Sequence, residues 1–194
     1  MHYTSKSITN QEYRFWKTII PHMDVIFDVG VRDDIVMYDL NPFADIHMFE
    51  PNPHWAGVLR NKLDKQSHFV RVNEYGLGSK SERKDFHHRY GSIIKRDIPK
   101  FKDMHDSYKI EIINLDDYCK GHNIEEIDYL KIDTEGYDFE VIKGSERMLD
   151  KIRFIQFEDF KTFYGGEKLQ DIIDYFKGWN IYEIGGKPKN YLAT

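Results

Sequence analysis

The stretch VIFDVGVRDD, Val25 to Asp34, decides how the chain is read. Its first half is a short β-branched, apolar run closed by Gly30, the pattern of a strand buried on both faces of a parallel sheet. Such a strand entering a glycine turn is the usual opening of a nucleotide-binding unit. The second half breaks the pattern: Asp33 and Asp34 stand where the turn carries another glycine and a helix start, and GxGxxG is absent. A phosphate ligand seeks free backbone amides and the positive end of a helix. Two carboxylates there oppose it, since a like-charge contact near ~4 Å costs on the order of several kcal/mol at an effective dielectric of roughly 20. The alternative for Asp33 and Asp34 is a solvated loop.

Before this stretch, Thr9 to Glu12 form a polar cap ahead of YRFWKTII. There Tyr13, Phe15, Trp16, Ile19 and Ile20 predict an amphipathic helix covering one side of the protein. After it, ADIHMFE (44–50) reads as a second buried strand and PNPHWAGVLRNKLDK (51–65) as a helix opened by prolines. HFVRVNEYG (68–76) reads as a third strand. RKDFHHRY (83–90) and SYKIEIIN (107–114) look extended, and LDDYCKGHN (115–123) looks like a short helix. IDYLKID (127–133) and RFIQFED (153–159) are buried strands. YDFEVIKGSERMLD (137–150) and EKLQDIIDYFKGW (167–179) have helical spacing, and NIYEIGGKPKNYLAT (180–194) ends the chain as a hairpin. The alternation predicts an α/β protein: a mostly parallel sheet with helices on both faces and a C-terminal antiparallel hairpin.

A chain of 194 residues, 40% hydrophobic, suits one domain over 1–194, with 1–22 as a helical cover and 23–194 as the core. The net charge of −5 argues against a nucleic-acid-coating protein. KRDIPKFK (95–102), the densest basic run, is a solvated loop or an anion patch. Cys119, the single cysteine, reads as a core thiol and suits a reducing compartment. No run approaches the roughly 20 apolar residues that cross a bilayer, and the first residues lack a signal-peptide core. A cytoplasmic protein without membrane insertion is expected.

In a doubly wound sheet, ligands bind beyond the carboxyl ends of the strands. Here those ends are acidic: Asp28, Glu50, Asp133 with Glu135, and Glu158-Asp159. An acid about 20 residues past the first turn is where a ribose diol is held, which fits Glu50; capping the next helix is its other reading. S-adenosylmethionine has the sign this rim prefers, with a sulfonium and an ammonium against one carboxylate and no phosphate. Arg32 would pair with its carboxylate, Asp28 or a neighbour with its ammonium, and Glu50 with its ribose.

DVG (28–30), FEPNP (49–53), LDDYC (115–119), DYLKIDTEGYDFEVIKGSERML (128–149) and FIQFE (154–158), in that order, resemble the FkbM-type methyltransferases. That family consists of S-adenosylmethionine-dependent enzymes that mostly methylate hydroxyl groups of sugars, lipids or polyketides. The resemblance implies a Rossmann-like class I fold with a seven-stranded sheet. It also implies roles: Asp28 and Gly30 in the first cofactor loop, and Glu50, Pro51 and Asn52 at the ribose. Gly76 and Leu77 would lie by the adenine, and Asp133 and Glu135 beside the transferred methyl group. The family's DVGANxG is DVGVRDD here, with Asp34 replacing the second glycine, so the methionine end must be held differently. NEYGLG and YGSIIKR also fit this acidic-loop subtype, which places Ser92 and Arg96 at the site; a loop without ligand contact is the other reading.

The implied reaction is methyl transfer to a hydroxyl of a carbohydrate, glycan or lipid-linked small molecule. The hydroxyl proton would go to Asp133, Glu135, Glu158 or the pair His87-His88. Asp133 and Glu135 are an alternative pair of ligands for magnesium or calcium, but no metal is assigned. His87 and His88 also read as surface strand residues. Phe160, Phe163 and Tyr164 are either acceptor-pocket walls or core, and Gly165-Gly166 is a lid hinge or a plain turn. Two rival functions remain: an inactive methyltransferase-fold interaction module, motivated by Asp34, and a dinucleotide-dependent sugar enzyme, motivated by Glu50.

Overall fold

The structure, a computed structural model, describes residues 10–63, 69–87, 93, 107–159, 169–185 and 189–194. Helix α1 (Asn10–Ile19) leads to β1 (Val25–Val29), α2 (Val36–Leu40), β2 (Asp45–Phe49), α3 (Pro53–Lys62) and β3 (Val70–Asn73). Then come β4 (Gly76–Gly78), β5 (Glu82–His87), β6 (Ser107–Asn114), α4 (Leu115–His122), β7 (Ile127–Ile132) and α5 (Asp138–Lys143). The chain closes with β8 (Ile152–Asp159), α6 (Leu169–Tyr175), β9 (Ile181–Gly185) and β10 (Lys189–Ala193).

Seven strands form one sheet in the order β3-β2-β1-β7-β8-β10-β9. The first five run parallel, and β10 is antiparallel to both neighbours. This is the mostly parallel seven-stranded sheet with a terminal hairpin that the sequence predicts. Strand order reverses around β1, so the crevice beyond β1 and β7 is the switch point where such sheets bind ligands.

Because side chains alternate along a strand, each face collects its own core. Ile26, Ile46 and Tyr129 pack under Trp16 and Ile20, Val36 and Met37 of α2, and Leu59 of α3. Phe27, Phe49, Leu130, Ile132 and Phe157 pack on the other face against Tyr118 and Cys119 of α4, Val141 and Ile142 of α5, and Ile172 of α6. Helix α1 is the expected cover, although Tyr13 stays outside. Cys119 is a core thiol, pushed up to about 12 by burial.

Helix α2 has no counterpart in the sequence reading, α6 ends at Tyr175 short of the expected Trp179, and two further elements depart more instructively. The expected third strand divides: β3 ends at Asn73, and Gly76–Gly78 joins a second sheet, β4-β6-β5. Glycine permits the departure, since a Cβ on either Gly76 or Gly78 would come within 2.8 Å of the Ile112 side chain. The helix predicted over 137–150 stops at Lys143. Tertiary contacts override its spacing: Asp116 accepts the amides of Arg147 (2.8 Å) and Met148 (3.0 Å). Its own amide donates to the Gly144 carbonyl at 3.0 Å.

Gly30 closes the crossing of the three central strands. Its φ is +83°, its amide donates to the Phe49 carbonyl at 2.9 Å, and an added Cβ would lie 1.9 Å from the Asp133 carbonyl oxygen. Gly57, within α3, has open space around its missing Cβ. Gly30→Ala is therefore expected to lower stability by about 2–5 kcal/mol through strain and overlap. Gly57→Ala should raise it by roughly 0.5–1 kcal/mol. Urea denaturation of both variants checks the pair.

Candidate active site

One face of the central strands turns from apolar to charged toward the carboxyl ends. On β1, Ile26 is followed by Asp28; on β7, Tyr129 by Lys131 and Asp133; on β8, Phe154 by Gln156 and Glu158. The registers Asp28↔Lys131, Lys131↔Gln156 and Glu158↔Asn190 set these side chains side by side. Lys131 Nζ lies 3.3 Å from Asp28 Oδ1 and 3.4 Å from Asp133 Oδ2. Burial works against its charge, but Asp28, Asp133, Asp34 and Glu12 outweigh it and hold the ammonium well above its ordinary pKa. Asp28 is the more deeply buried partner, and burial raises its pKa in spite of Lys131.

Beyond β2, Glu50 is 5% exposed, and burial raises its pKa. Oε2 accepts the Arg32 amide at 2.7 Å and Oε1 accepts the Asn52 amide at 2.8 Å. Asn52 caps α3, its Oδ1 accepting from the His54 amide at 2.9 Å, with Pro51 just before it and Pro53 opening the helix. The cap is therefore Asn52, which leaves Glu50 to join the first loop to the second. Tyr108 of β6 feels the charge of Glu50: burial first, then Glu50 and Glu74, push it up to about 12. The second sheet thus stands beside this end of the crevice.

The acidic loop has structural partners. Asp33 pairs with Lys62 at 3.0 Å. Asp34 Oδ1 accepts the Val36 amide at 2.9 Å, a side-chain turn that leads the chain into α2 where a glycine was expected. The Asp33–Lys62 pair is exposed, as a solvated loop would have it, whereas burial raises the pKa of Asp34. Arg32 adopts a left-handed φ of 56°, and its guanidinium lies 5.1 Å above the Trp55 ring. Gly76 and Leu77 lie in β4, and the Leu77 side chain joins the core.

After β7, Glu135 (φ 56°) and Gly136 (φ 101°) turn the chain sharply back. Asp138 clamps this turn: Oδ1 accepts the Thr134 amide at 3.0 Å and the Thr134 hydroxyl, while Oδ2 accepts the Glu158 amide at 3.0 Å. The ends of β7 and β8 are thereby tied together, with Asp133 and Glu158 on them. Burial, then the charges of Asp133 and Asp138, raise Glu158 far above the usual carboxylate range. Burial pushes Asp138 up to about 6 against the pull of its donors.

The crevice thus gathers Asp28, Gly30, Asp133, Glu135 and Glu158, with Glu50 reached through the first loop. Sequence reading missed Lys131 and Asp138. Period-two spacing carried the signal for Lys131, a charge two residues before Asp133 inside an apolar run. His87 ends β5, whereas His88, Ser92, Arg96, Phe160, Phe163, Tyr164, Gly165, Gly166 and the 95–102 run lie outside the described residues. Among the described residues, no three His, Cys, Asp or Glu side chains are grouped as metal ligands, and no helix is long and apolar enough to cross a membrane.

A carboxyl whose folded pKa is raised contributes stability that is complete below its unfolded value and lost as pH rises through the folded one. For Asp138 that window runs from 3.8 to about 6. Asp138→Asn faces the Glu158 amide with N–H and should cost about 1–3 kcal/mol. It should also flatten this part of the profile, so that the variant's deficit is larger near pH ~4 than near pH ~7. Urea midpoints of wild type and variant at the two pH values check both expectations.

Comparison with known proteins agrees with the geometry. The 2-O-methyltransferase NoeI of Sinorhizobium fredii is 27% identical over 177 residues, covering 81% of this chain and 72% of that protein. The hexuronic acid methyltransferase AglP of Haloferax volcanii is 27% identical over 132 residues, covering 68% of this chain and 54% of that protein. The crystal structure of methyltransferase FkbM from Methylobacillus flagellatus superposes with a TM-score of 0.62 at 15% identity, over 88% of this chain and 43% of that one. Residues 28–181, well over half of the chain, match the methyltransferase FkbM domain, and the chain belongs to that family of methyltransferases.

Proposed function

We propose that residues 1–194 form one S-adenosylmethionine-dependent O-methyltransferase domain, acting in the cytoplasm on a hydroxyl group of a carbohydrate or glycan. The observation that carries the cofactor is the acidic rim at the switch point. Several carboxylates, including Asp28, Asp34, Asp133 and Glu158, crowd around one buried ammonium, and burial raises Asp28, Asp34 and Glu158. A guest carrying positive charge relieves that crowding, and a pyrophosphate aggravates it. The same crowding argues against a dinucleotide. The Asp34 departure, which motivated an inactive module, has a local role of its own in the turn that leads into α2.

The residues present fit the cofactor. Each Glu50 oxygen accepts one backbone amide, and a carboxylate oxygen has a second lone pair, so the group can still receive two ribose hydroxyls. Arg32 is the nearby cation for a carboxylate. Asp133 and Glu135 stand on the turn beside Gly30, where a methionine portion would lie. When bound, S-adenosylmethionine supplies a methyl group on an already activated sulfonium.

The protein then has to align an acceptor and accept its proton. Alignment accounts for roughly 7–11 kcal/mol of such barriers. The strand-end geometry serves it, because Asp138 and Lys131 fix the carboxylates before a substrate arrives. Asp133, Glu135 and Glu158 are the proton acceptors at hand. The carbohydrate assignment is supported by NoeI and AglP, whose names specify 2-O-methylation and a hexuronic acid.

Isothermal titration with S-adenosylhomocysteine tests the cofactor. Binding is expected, with NADH failing to bind, and Glu50→Gln should weaken it about 10- to 100-fold, the loss of one charged hydrogen-bonding contact. Absence of heat at millimolar S-adenosylhomocysteine would discard the proposal.

A further inference from the structure

The face that carries Lys131 also holds a buried hydrogen-bonded chain that links α1 to Glu158. Gln156 has no exposed surface, Trp16 is 1% exposed and Asn190 4%. Gln156 Oε1 accepts from Trp16 Nε1 at 2.7 Å and from the Tyr129 hydroxyl. Gln156 Nε2 donates to Glu12 Oε1 and to Asn190 Oδ1, each at 2.9 Å. Asn190 Nδ2 donates to Glu158 Oε1 at 3.3 Å.

The direction of every link follows from one group. An indole N–H only donates, so the Gln156 atom facing Trp16 must be oxygen. Its other amide atom is then nitrogen, which requires an oxygen from Asn190. Asn190 in turn must present its N–H to Glu158. An amide side chain in either orientation would fit the space, but only one satisfies this chain, and a buried mismatch leaves a polar group unpaired.

We propose that Trp16, Gln156 and Asn190 form a polarity relay in which Asn190 positions Glu158 as the proton acceptor, with Oε1 held as a hydrogen-bond acceptor and Oε2 left to take the proton. This deepens, and rests on, the methyl-transfer function proposed above. From the ionised carboxylate the transfer balances: the acceptor's O–H bond breaks and an Oε2–H bond forms, discharging the Glu158 charge, while the freed oxygen pair would form the bond to the methyl carbon as its carbon–sulfur bond breaks. Gln156 and Asn190 touch no reacting atom, so both are positioning residues, and α1 becomes part of the catalytic apparatus through Trp16 and Glu12. The charged groups facing Glu158 are Asp133, Glu135 and Lys131 from β7 and its turn, and Asp138 from α5. Asn190, from β10, is the neutral donor among them.

The test titrates Glu158 in the full chain without cofactor, using carboxyl-13C glutamate and NMR, with its resonance assigned by its loss in Glu158→Gln. Asn190→Ala removes the donor to Oε1 and should raise the Glu158 midpoint by about one pH unit. Gln156→Leu does not touch Glu158, yet it frees Asn190 and should shift the midpoint in the same direction by a smaller amount. A purely structural role would lower the melting temperature of both variants and leave the midpoint in place. An unmoved midpoint in either folded variant overturns the relay. Should Gln156→Leu not fold, Asn190→Ala and Asn190→Ser decide it by the same criterion. The titration needs no ligand, so loss of the relay and failure to bind S-adenosylhomocysteine are separate results.

Discussion

A single ammonium buried beneath the rim of the sheet makes the rest of the site possible. Carboxylates brought together at strand ends repel one another and lose hydration, and an isolated buried charge is expensive. Lys131 answers both problems for Asp28 and Asp133, at 3.3 and 3.4 Å. Its stem runs along the face where Tyr129 and Ile26 are packed, so the head is delivered to the rim by the strand itself. Asp138 and Gly30 complete the frame, one by clamping the end of β7 to that of β8, the other by letting β1 approach β7 closely.

Neutralisation by Lys131 is incomplete, and that is where function enters. One positive charge stands against Asp28, Asp133, Asp34 and Glu12, while Glu158 lies nearby with its pKa raised by burial and by Asp133 and Asp138. The frame is rigid and short of positive charge. A cationic guest supplies what is missing and draws the raised carboxyls toward ionisation. Only an ionised Glu158 can accept a proton. Cofactor binding and readiness for chemistry would then be one electrostatic event.

The sheet was legible in the sequence because β-branched runs and helical spacing report local preferences. Val25–Val29, Ile127–Ile132 and the terminal hairpin all lie where the pattern put them. The acids at the strand ends were legible for the same reason, since a strand's end follows from its extent. Interactions that depend on distant partners were not. Asp34 read as part of an acidic mouth, and it also accepts the Val36 amide in the turn before α2, which only the backbone path reveals. Asp33 is matched by Lys62 of α3, twenty-nine positions away in the chain. Asp116 stops α5 across a comparable gap. Gln156 looked like an ordinary residue of a buried strand, and its meaning lies in Trp16 and Glu12 of α1 and Asn190 of β10 meeting it from two other elements.

The most direct test of this electrostatic account is the proton balance of cofactor binding. Calorimetric titration with S-adenosylmethionine in buffers of differing ionisation enthalpy reads the protons exchanged per site. The account predicts net proton release near neutral pH, greater for S-adenosylmethionine than for the uncharged-sulfur product S-adenosylhomocysteine, because the sulfonium lowers the raised carboxyl pKa values. Equal release for the two ligands, or proton uptake with the cation, would contradict it.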